Sequence, residues 1–192
     1  MRRENPTPDF DRSRPAAFLD RDGVINVDHG YVFRPEDLLF TPTAAKGIRL
    51  LNEAGYWVIV VSNQSGVARG LYGTQEVERF HMHMQALLAA EGARIDAFYY
   101  SPYHPEGSVE PYACDHDDRK PGPGMLLRAM RERPIRHDGS FMIGDKQSDV
   151  EAADRAGIPG LLVPSDICDL AAAAASLIER ARNEATAAMS RT

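Results

Sequence analysis

Four short stretches of this chain collect residue types that can move a phosphoryl group. Asp20 and Asp22 stand two apart and are followed by Gly23. Ser62-Asn63-Gln64-Ser65-Gly66 offers hydroxyls and a run of backbone amides. Arg119-Lys120-Pro121 supplies cations, and Gly144-Asp145 is followed one helical turn later by Asp149. Carboxylates crowded together cannot all stay ionised without a compensating cation. Mg²⁺ meets that need, because it takes oxygen ligands and works with one or two carboxylates plus phosphate and waters. An aspartate neutralised in this way can accept a phosphoryl group as an acyl phosphate. A neighbouring carboxyl can protonate the leaving alkoxide and later activate water. Asp20 is therefore read as nucleophile and Asp22 as general acid/base. The Ser62 hydroxyl and the Asn63–Gly66 amides are read as donors to phosphate oxygens, and Lys120 as the positive charge facing a loose transition state.

Each stretch alone is weak. Asp and Gly populate turns for conformational reasons, and an Arg-Lys pair usually faces water. An EF-hand loop would place its glycine at the sixth position, whereas Gly23 is at the fourth and Val24 falls on a ligand position, which argues against calcium. What joins the stretches is the pattern of elements around them. Ala16–Leu19 is a short apolar run ending at Asp20. Tyr56–Val61 is a near-continuous apolar, β-branched run ending at Ser62. Ile95–Tyr100 and Leu161–Val163 read as further strands, and Ser140–Asp145 as the strand before Asp149. Helices are expected between them: one capped by Thr41-Pro42 and closed by Gly55, one from Thr74 to Glu91, one over Pro123–Arg131, one over Val150–Ala156, and one over Leu170–Ala188. This alternation predicts an α/β, doubly wound, mostly parallel sheet, whose ligands bind beyond the carboxyl ends of the strands. All four stretches then meet at one edge.

The 192 residues suit one domain over residues 16–192, preceded by a charged, proline-bearing arm over 1–15 that has no apolar stretch of the secretory kind. Hydrophobic residues make up 43% and the formal net charge is −6, which suits a globular chain and speaks against nonspecific binding to nucleic acid or anionic membrane. Two cysteines, Cys114 and Cys168, make no disulfide framework. A cytoplasmic monomer without nucleic-acid or membrane partners is the expectation.

These residues resemble the haloacid dehalogenase (HAD) superfamily of phosphatases, over about residues 16–165. Asp20-Arg21-Asp22-Gly23-Val24-Ile25 looks like its first motif, Ser62 the second, Lys120 the third and Gly144–Asp149 the fourth. The resemblance implies Mg²⁺ held by Asp20, the backbone carbonyl of Asp22, and Asp145, with Asp149 in support. It is closest to the branch acting on heptose bisphosphates and histidinol phosphate, through Ile25–Tyr31, Ser62–Gly70 and Arg119–Met125. By that similarity Asp28, His29, Gly30, Tyr31, Asn63, Gln64, Ser65, Arg119 and Lys146 contact a small, phosphorylated, sugar-like substrate. Arg119 either pairs with a second anionic group or faces water. The spacing from Asp22 to Ser62 leaves no room for a full cap domain, so the loop at 101–119 is expected on the substrate side.

Members of that branch often carry a structural zinc on this loop, held by a Cys-x-His and a Cys-x-Cys pair. Here the corresponding positions read Ser101-Pro102-Tyr103 and His116-Asp117-Asp118. His104, Cys114 and His116 offer three ligands where structural zinc takes four. The expectation is no zinc, with a rewired site on those three as the alternative. His81 and His83 are expected at surface or partly buried helix positions, and Met82, Met84, Leu87 and Leu88 in the core. Two further functions remain open: phosphatase action on histidinol phosphate or another small phosphomonoester, and a receiver-like module that holds a phospho-aspartate.

Overall fold

The computed structural model describes residues 13–189. Strands β1 (Ala16–Leu19), β2 (Trp57–Asn63), β3 (Ala97–Ser101), β4 (Phe141–Gly144) and β5 (Gly160–Leu162) form one sheet in the order β3-β2-β1-β4-β5. All its pairings are parallel. Helices α1 (Ala44–Glu53), α2 (Thr74–Ala90), α3 (Gly124–Glu132), α4 (Gln147–Arg155) and α5 (Leu170–Met189) alternate with the strands. This is the doubly wound α/β architecture expected.

Strand residues alternate between two cores, as the two-residue period of a strand requires. Ala17, Leu19, Val58, Val60 and Ile143 pack with Ile48, Leu51, Phe80, Met84, Leu88 and Leu170. Ala16, Phe18, Ile59, Val61 and Met142 pack with Met125, Leu126, Ala129, Ala152 and Ala153. Thus α1, α2 and α5 cover one face, and α3 and α4 the other. Burying each Leu, Ile or Phe contributes about 1.5–3 kcal/mol. With both faces covered, the polar ends of β1, β2 and β4 are the exposed working edge. Between β1 and α1 the chain holds loops and a 3₁₀ turn at Pro35–Asp37, with no inserted cap.

Several local expectations shift. Helix α1 starts at Ala44 behind Thr43, not at Pro42. Thr41 is buried and its hydroxyl donates to the Val24 carbonyl at 2.7 Å, so it pins the loop after β1. Gly73, rather than Thr74, precedes α2, and its N–H donates to Glu76. His81 is buried, whereas Met82 and Leu87 are exposed, because α2 is turned so that Phe80, His81, Met84 and Leu88 face inward. Residues 1–12 of the proposed arm lie outside the described residues. Its end is tied to the domain: Arg14 pairs with the chain at Ile135 and its guanidinium sits 3.8 Å over Trp57.

Helix α1 packs on α5 at Gly47. A Cβ there would lie 2.7 Å from Leu170 Cγ and 2.8 Å from its backbone carbonyl carbon. Helix propensity alone predicts that Gly47→Ala stabilises by about 1 kcal/mol. The close approach reverses the sign, and a loss of about 1–3 kcal/mol is expected on chemical denaturation. A stabilised variant would show that α5 does not dock as described.

Candidate active site

The carboxyl edge gathers the predicted residues. Asp20 lies one step past β1, its N–H bonded to the Ile143 carbonyl of β4 at 2.9 Å. One carboxylate oxygen each from Asp20, Asp145 and Asp149 lies within 4.8 Å of the others. Among the described residues this is the one group of three or more His, Cys, Asp or Glu side chains so placed. The Lys120 ammonium is buried between two of them, 3.0 Å from Asp20 Oδ1 and 2.6 Å from Asp149 Oδ1, and it also donates to the Val61 carbonyl at 2.9 Å. Its three donors are therefore all engaged.

The electrostatics follow from burial. Asp20 is pushed up to about 7, chiefly because burial disfavours its charge; Lys120 pulls the other way, while Asp149 and Asp22 add to the rise. Burial alone would lower Lys120, but Asp20 and Asp149 outweigh it and its affinity for a proton is raised. Three carboxylates against one ammonium leave two negative charges uncompensated when all are ionised. Asp149 Oδ1 is ion-paired with the Lys120 ammonium but makes no hydrogen bond of good angle, and Oδ2 accepts the Lys146 N–H at 2.9 Å at the start of α4. Asp145 Oδ1 is likewise buried with no hydrogen-bond partner. An oxygen-rich cluster with surplus charge and an orphaned carboxylate oxygen fits a hard divalent cation.

Two glycines make the approach possible. A Cβ on Gly144 would lie 2.2 Å from Asp149 Cβ. Gly23 adopts a φ of 85°, and a Cβ there would lie 2.3 Å from Asp145 Oδ2. The loop after β1 can therefore press against Asp145 only with glycine at this position.

Asp22 is held apart from the cluster. Its carboxylate accepts from the Arg21 guanidinium at 2.9–3.1 Å, from Asn26 at 3.0 Å and from Gln64 at 3.0 Å. Arg21 is fully buried, donates to the Val32 carbonyl at 2.6 Å, and lies 4.5 Å over Phe80. Its Nη1 is 3.4 Å from His81 Nε2. Burial, and then Arg21, drive the basicity of His81 well below normal, so a neutral ring accepts from Arg21. The motif reading passed over Arg21 and His81. Strand alternation points to Arg21, which continues the face of Ala17 and Leu19; nothing in the sequence singles out His81.

Gln64, expected at the substrate, has its side chain in a buried link. It is 1% exposed, donates to Ser62 at 2.7 Å and to Asp22, and accepts from Tyr72 at 2.9 Å. The Asn63 amide clamps the Lys120 backbone, donating to its carbonyl at 2.9 Å and accepting its N–H at 3.0 Å. Asp20, Asp22, Ser62, Asn63, Lys120, Lys146 and Asp149, joined by the unpredicted Ser148, line a notch of ≈ 30 Å³. A larger cavity of ≈ 530 Å³ lies at the opposite edge of the sheet, beside Pro15, Tyr56, Arg136 and Arg182, far from this chemistry.

At the rim His29, Gly30 and Tyr31 are exposed, Ser65 is partly buried, and Asp28 faces the Lys146 ammonium at 3.4 Å. Arg119 is half-buried and donates to the Tyr103 carbonyl at 3.3 Å. His116 stacks on Tyr103, ring centres 3.9 Å apart, and its Nδ1 accepts the Asp118 N–H at 3.0 Å. His104 meets Arg69 at 3.1 Å, and the Cys114 thiol donates to the Pro111 carbonyl at 3.6 Å. His104, Cys114 and His116 thus have separate partners.

Comparison with known proteins accords with this edge. A HAD-hydrolase-like family model matches residues 118–187. The D-glycero-β-D-manno-heptose-1,7-bisphosphate 7-phosphatase of Rhodopseudomonas palustris is 49% identical over 82% of this chain and 87% of its own length. That of Escherichia coli K12 is 44% identical over 77% of each chain. The crystal structure of D,D-heptose 1,7-bisphosphate phosphatase from B. bronchiseptica, complexed with magnesium and phosphate, superposes with a TM-score of 0.74 at 31% identity, covering 88% of this chain and 99% of that one. These relatives are phosphatases, which removes the receiver-like alternative. The chain belongs to the HAD superfamily of phosphatases.

Proposed function

We propose that this enzyme is a Mg²⁺-dependent phosphomonoesterase that passes phosphate through Asp20, with the 7-phosphate of D-glycero-D-manno-heptose 1,7-bisphosphate as its substrate. The observation that carries the reading is the Lys120 ammonium lodged between Asp20 and Asp149 while Asp145 Oδ1 has no partner. The substrate rests on the relatives named above. Cytoplasmic action as a monomer belongs to the same reading; among the described residues, no helix is long and apolar enough to cross a membrane.

Asp20, Asp145 and the Asp22 carbonyl would hold the ion, with Asp149 in support. When bound, Mg²⁺ neutralises these carboxylates and adds positive charge to phosphoryl oxygens. Lys120, fixed through its three acceptors, orients Asp20 and places a cation beside the transferring group. The Ser62 hydroxyl, held by Gln64, donates to a phosphoryl oxygen. Asp20 attacks phosphorus as the bond to the sugar oxygen breaks, and Asp22 gives its proton to that oxygen. Water then attacks the acyl phosphate, Asp22 takes its proton, and Asp20 is released with inorganic phosphate. Arg21, Asn26 and Gln64 keep Asp22 in one rotamer through both half-reactions.

Three outcomes are expected. Asp20→Asn should lower kcat by at least about 10³-fold while the protein stays folded; retained turnover would rule out nucleophilic attack by Asp20. In a phosphate-release panel with Mg²⁺, the heptose bisphosphate should give the highest kcat/KM, and a clear preference for histidinol phosphate would overturn the substrate.

The third concerns pH. Because the folded-state value of Asp20 is raised from 3.8 to about 7, the folded state binds this proton more tightly than the unfolded chain does. Stability without metal should therefore fall as pH rises through that window. Mg²⁺ competes with the same proton, so its thermal stabilisation should be larger at about pH 8 than at about pH 5.5. Asp145→Asn should remove most of the effect. An equal shift at both pH values would contradict the charge balance.

A further inference from the structure

Asp166 lies outside every motif, on the loop after β5, yet it is held in an unusual conformation. Its φ is 63°, in the left-handed region that a non-glycine residue rarely enters. In this conformation it engages the loop after β1 twice. Its N–H donates to the Gly23 carbonyl at 2.8 Å, and its Oδ1 accepts the Asp28 N–H at 2.7 Å. Asp28 passes the constraint on. Its Oδ1 accepts the Gly30 N–H at 3.1 Å, and its Oδ2 faces the Lys146 ammonium at 3.4 Å. Lys146 in turn opens α4, between Asp145 and Asp149, and lines the catalytic notch.

We infer that Asp166 is a positioning residue for the substrate rim: by fixing the Asp28 backbone it sets where the Lys146 ammonium stands over the notch. The chain Asp166–Asp28–Lys146 links the loops after three strands, β5, β1 and β4. The Lys146–Asp28 pair cannot hold itself in place. The Lys146 side chain is 55% exposed, and an ion pair of that kind contributes little by its own attraction. The restraint comes from the shorter bond between Asp166 Oδ1 and the Asp28 N–H. Non-glycine residues persist at positive φ where the surrounding structure over-determines them. Here Gly23 and Asp28 do so together. Lys146 is exposed and lines the notch, so an ammonium held there would suit an anionic or hydroxyl group of the substrate away from the reacting phosphate. This rests on the substrate reading above.

The test separates backbone strain from positioning. Asp166→Gly relieves the positive φ but removes the carboxylate, whereas Asp166→Asn keeps an acceptor and tolerates the same φ. Steady-state kinetics with the heptose bisphosphate and with p-nitrophenyl phosphate, and melting temperatures, would be measured for both and for Lys146→Ala. Asp166→Gly should keep or raise the melting temperature. It should raise KM for the bisphosphate about tenfold more than KM for the aryl phosphate, the loss of about one hydrogen bond. Asp166→Asn should stay within about twofold of the parent, since its amide oxygen replaces the acceptor. A purely structural role would make Asp166→Gly silent in KM or would leave Asp166→Asn as impaired as Asp166→Gly, and either result overturns the inference. If Lys146→Ala raises the bisphosphate KM and Asp166→Gly does not, the positioning role alone is overturned. If Asp166→Gly raises it and Lys146→Ala does not, the route through Lys146 is overturned. If neither does, the substrate role of this rim falls as well.

Discussion

Gathering three carboxylates, two of them buried, around one buried ammonium is the constraint from which the rest of this site follows. Asp20, Asp145 and Asp149 bring oxygens within 4.8 Å of one another, and Lys120 offsets only part of their charge. Charges withdrawn from water are tolerated when they are paired and hydrogen-bonded. Lys120 has three acceptors within reach, and Asp149 has an ion pair on one oxygen and a hydrogen bond on the other. The burden falls on Asp20, whose affinity for a proton rises, and on Asp145, which keeps an orphaned oxygen. The two surplus negative charges are what one divalent cation would offset, in keeping with the metal site proposed above.

The fold meets the constraint with its strand ends. Parallel strands covered on both faces leave only their carboxyl edge for polar work. Here β1, β2 and β4 deliver Asp20, Ser62 and Asp145 side by side. The same two-residue period that sends Leu19 into the core sends Arg21 beneath the site. There it separates the jobs of the two first-motif aspartates: Asp20 faces the ammonium, and Asp22 is clamped by a guanidinium, two amides and, through Arg21, a neutral histidine. Two carboxylates two residues apart thus sit in different environments, one in the acidic cluster and the other in a clamp of fixed donors.

Much of this was legible in the sequence. The strand order of chemistry could be read because continuous apolar runs mark doubly covered strands, and polar residues directly after them must lie at the edge. Asp20, Ser62 and Asp145 were placed in this way. Helix boundaries were less legible. Thr41-Pro42 has the composition of a helix start, yet the Thr41 hydroxyl is used by the Val24 carbonyl instead, a tertiary contact that local propensity does not encode. Resemblance assigns Gln64 to the substrate; only the positions of Tyr72, Ser62 and Asp22 show that its side-chain amide is used inside. His81 and Asp166 were invisible for a similar reason. Each owes its role to a partner 60 or 138 residues distant along the chain.

The central claim is that Asp20 is the phosphoryl acceptor within a cation site shared with Asp145. The most direct measurement is a crystal structure with Mg²⁺ and beryllofluoride, which mimics a phosphoryl group on aspartate. The account predicts the fluoride adduct on an Asp20 oxygen, with the ion contacting Asp20 and Asp145 and with Asp145 Oδ1 no longer orphaned. An adduct on another residue, or an ion bound away from these two carboxylates, would contradict it.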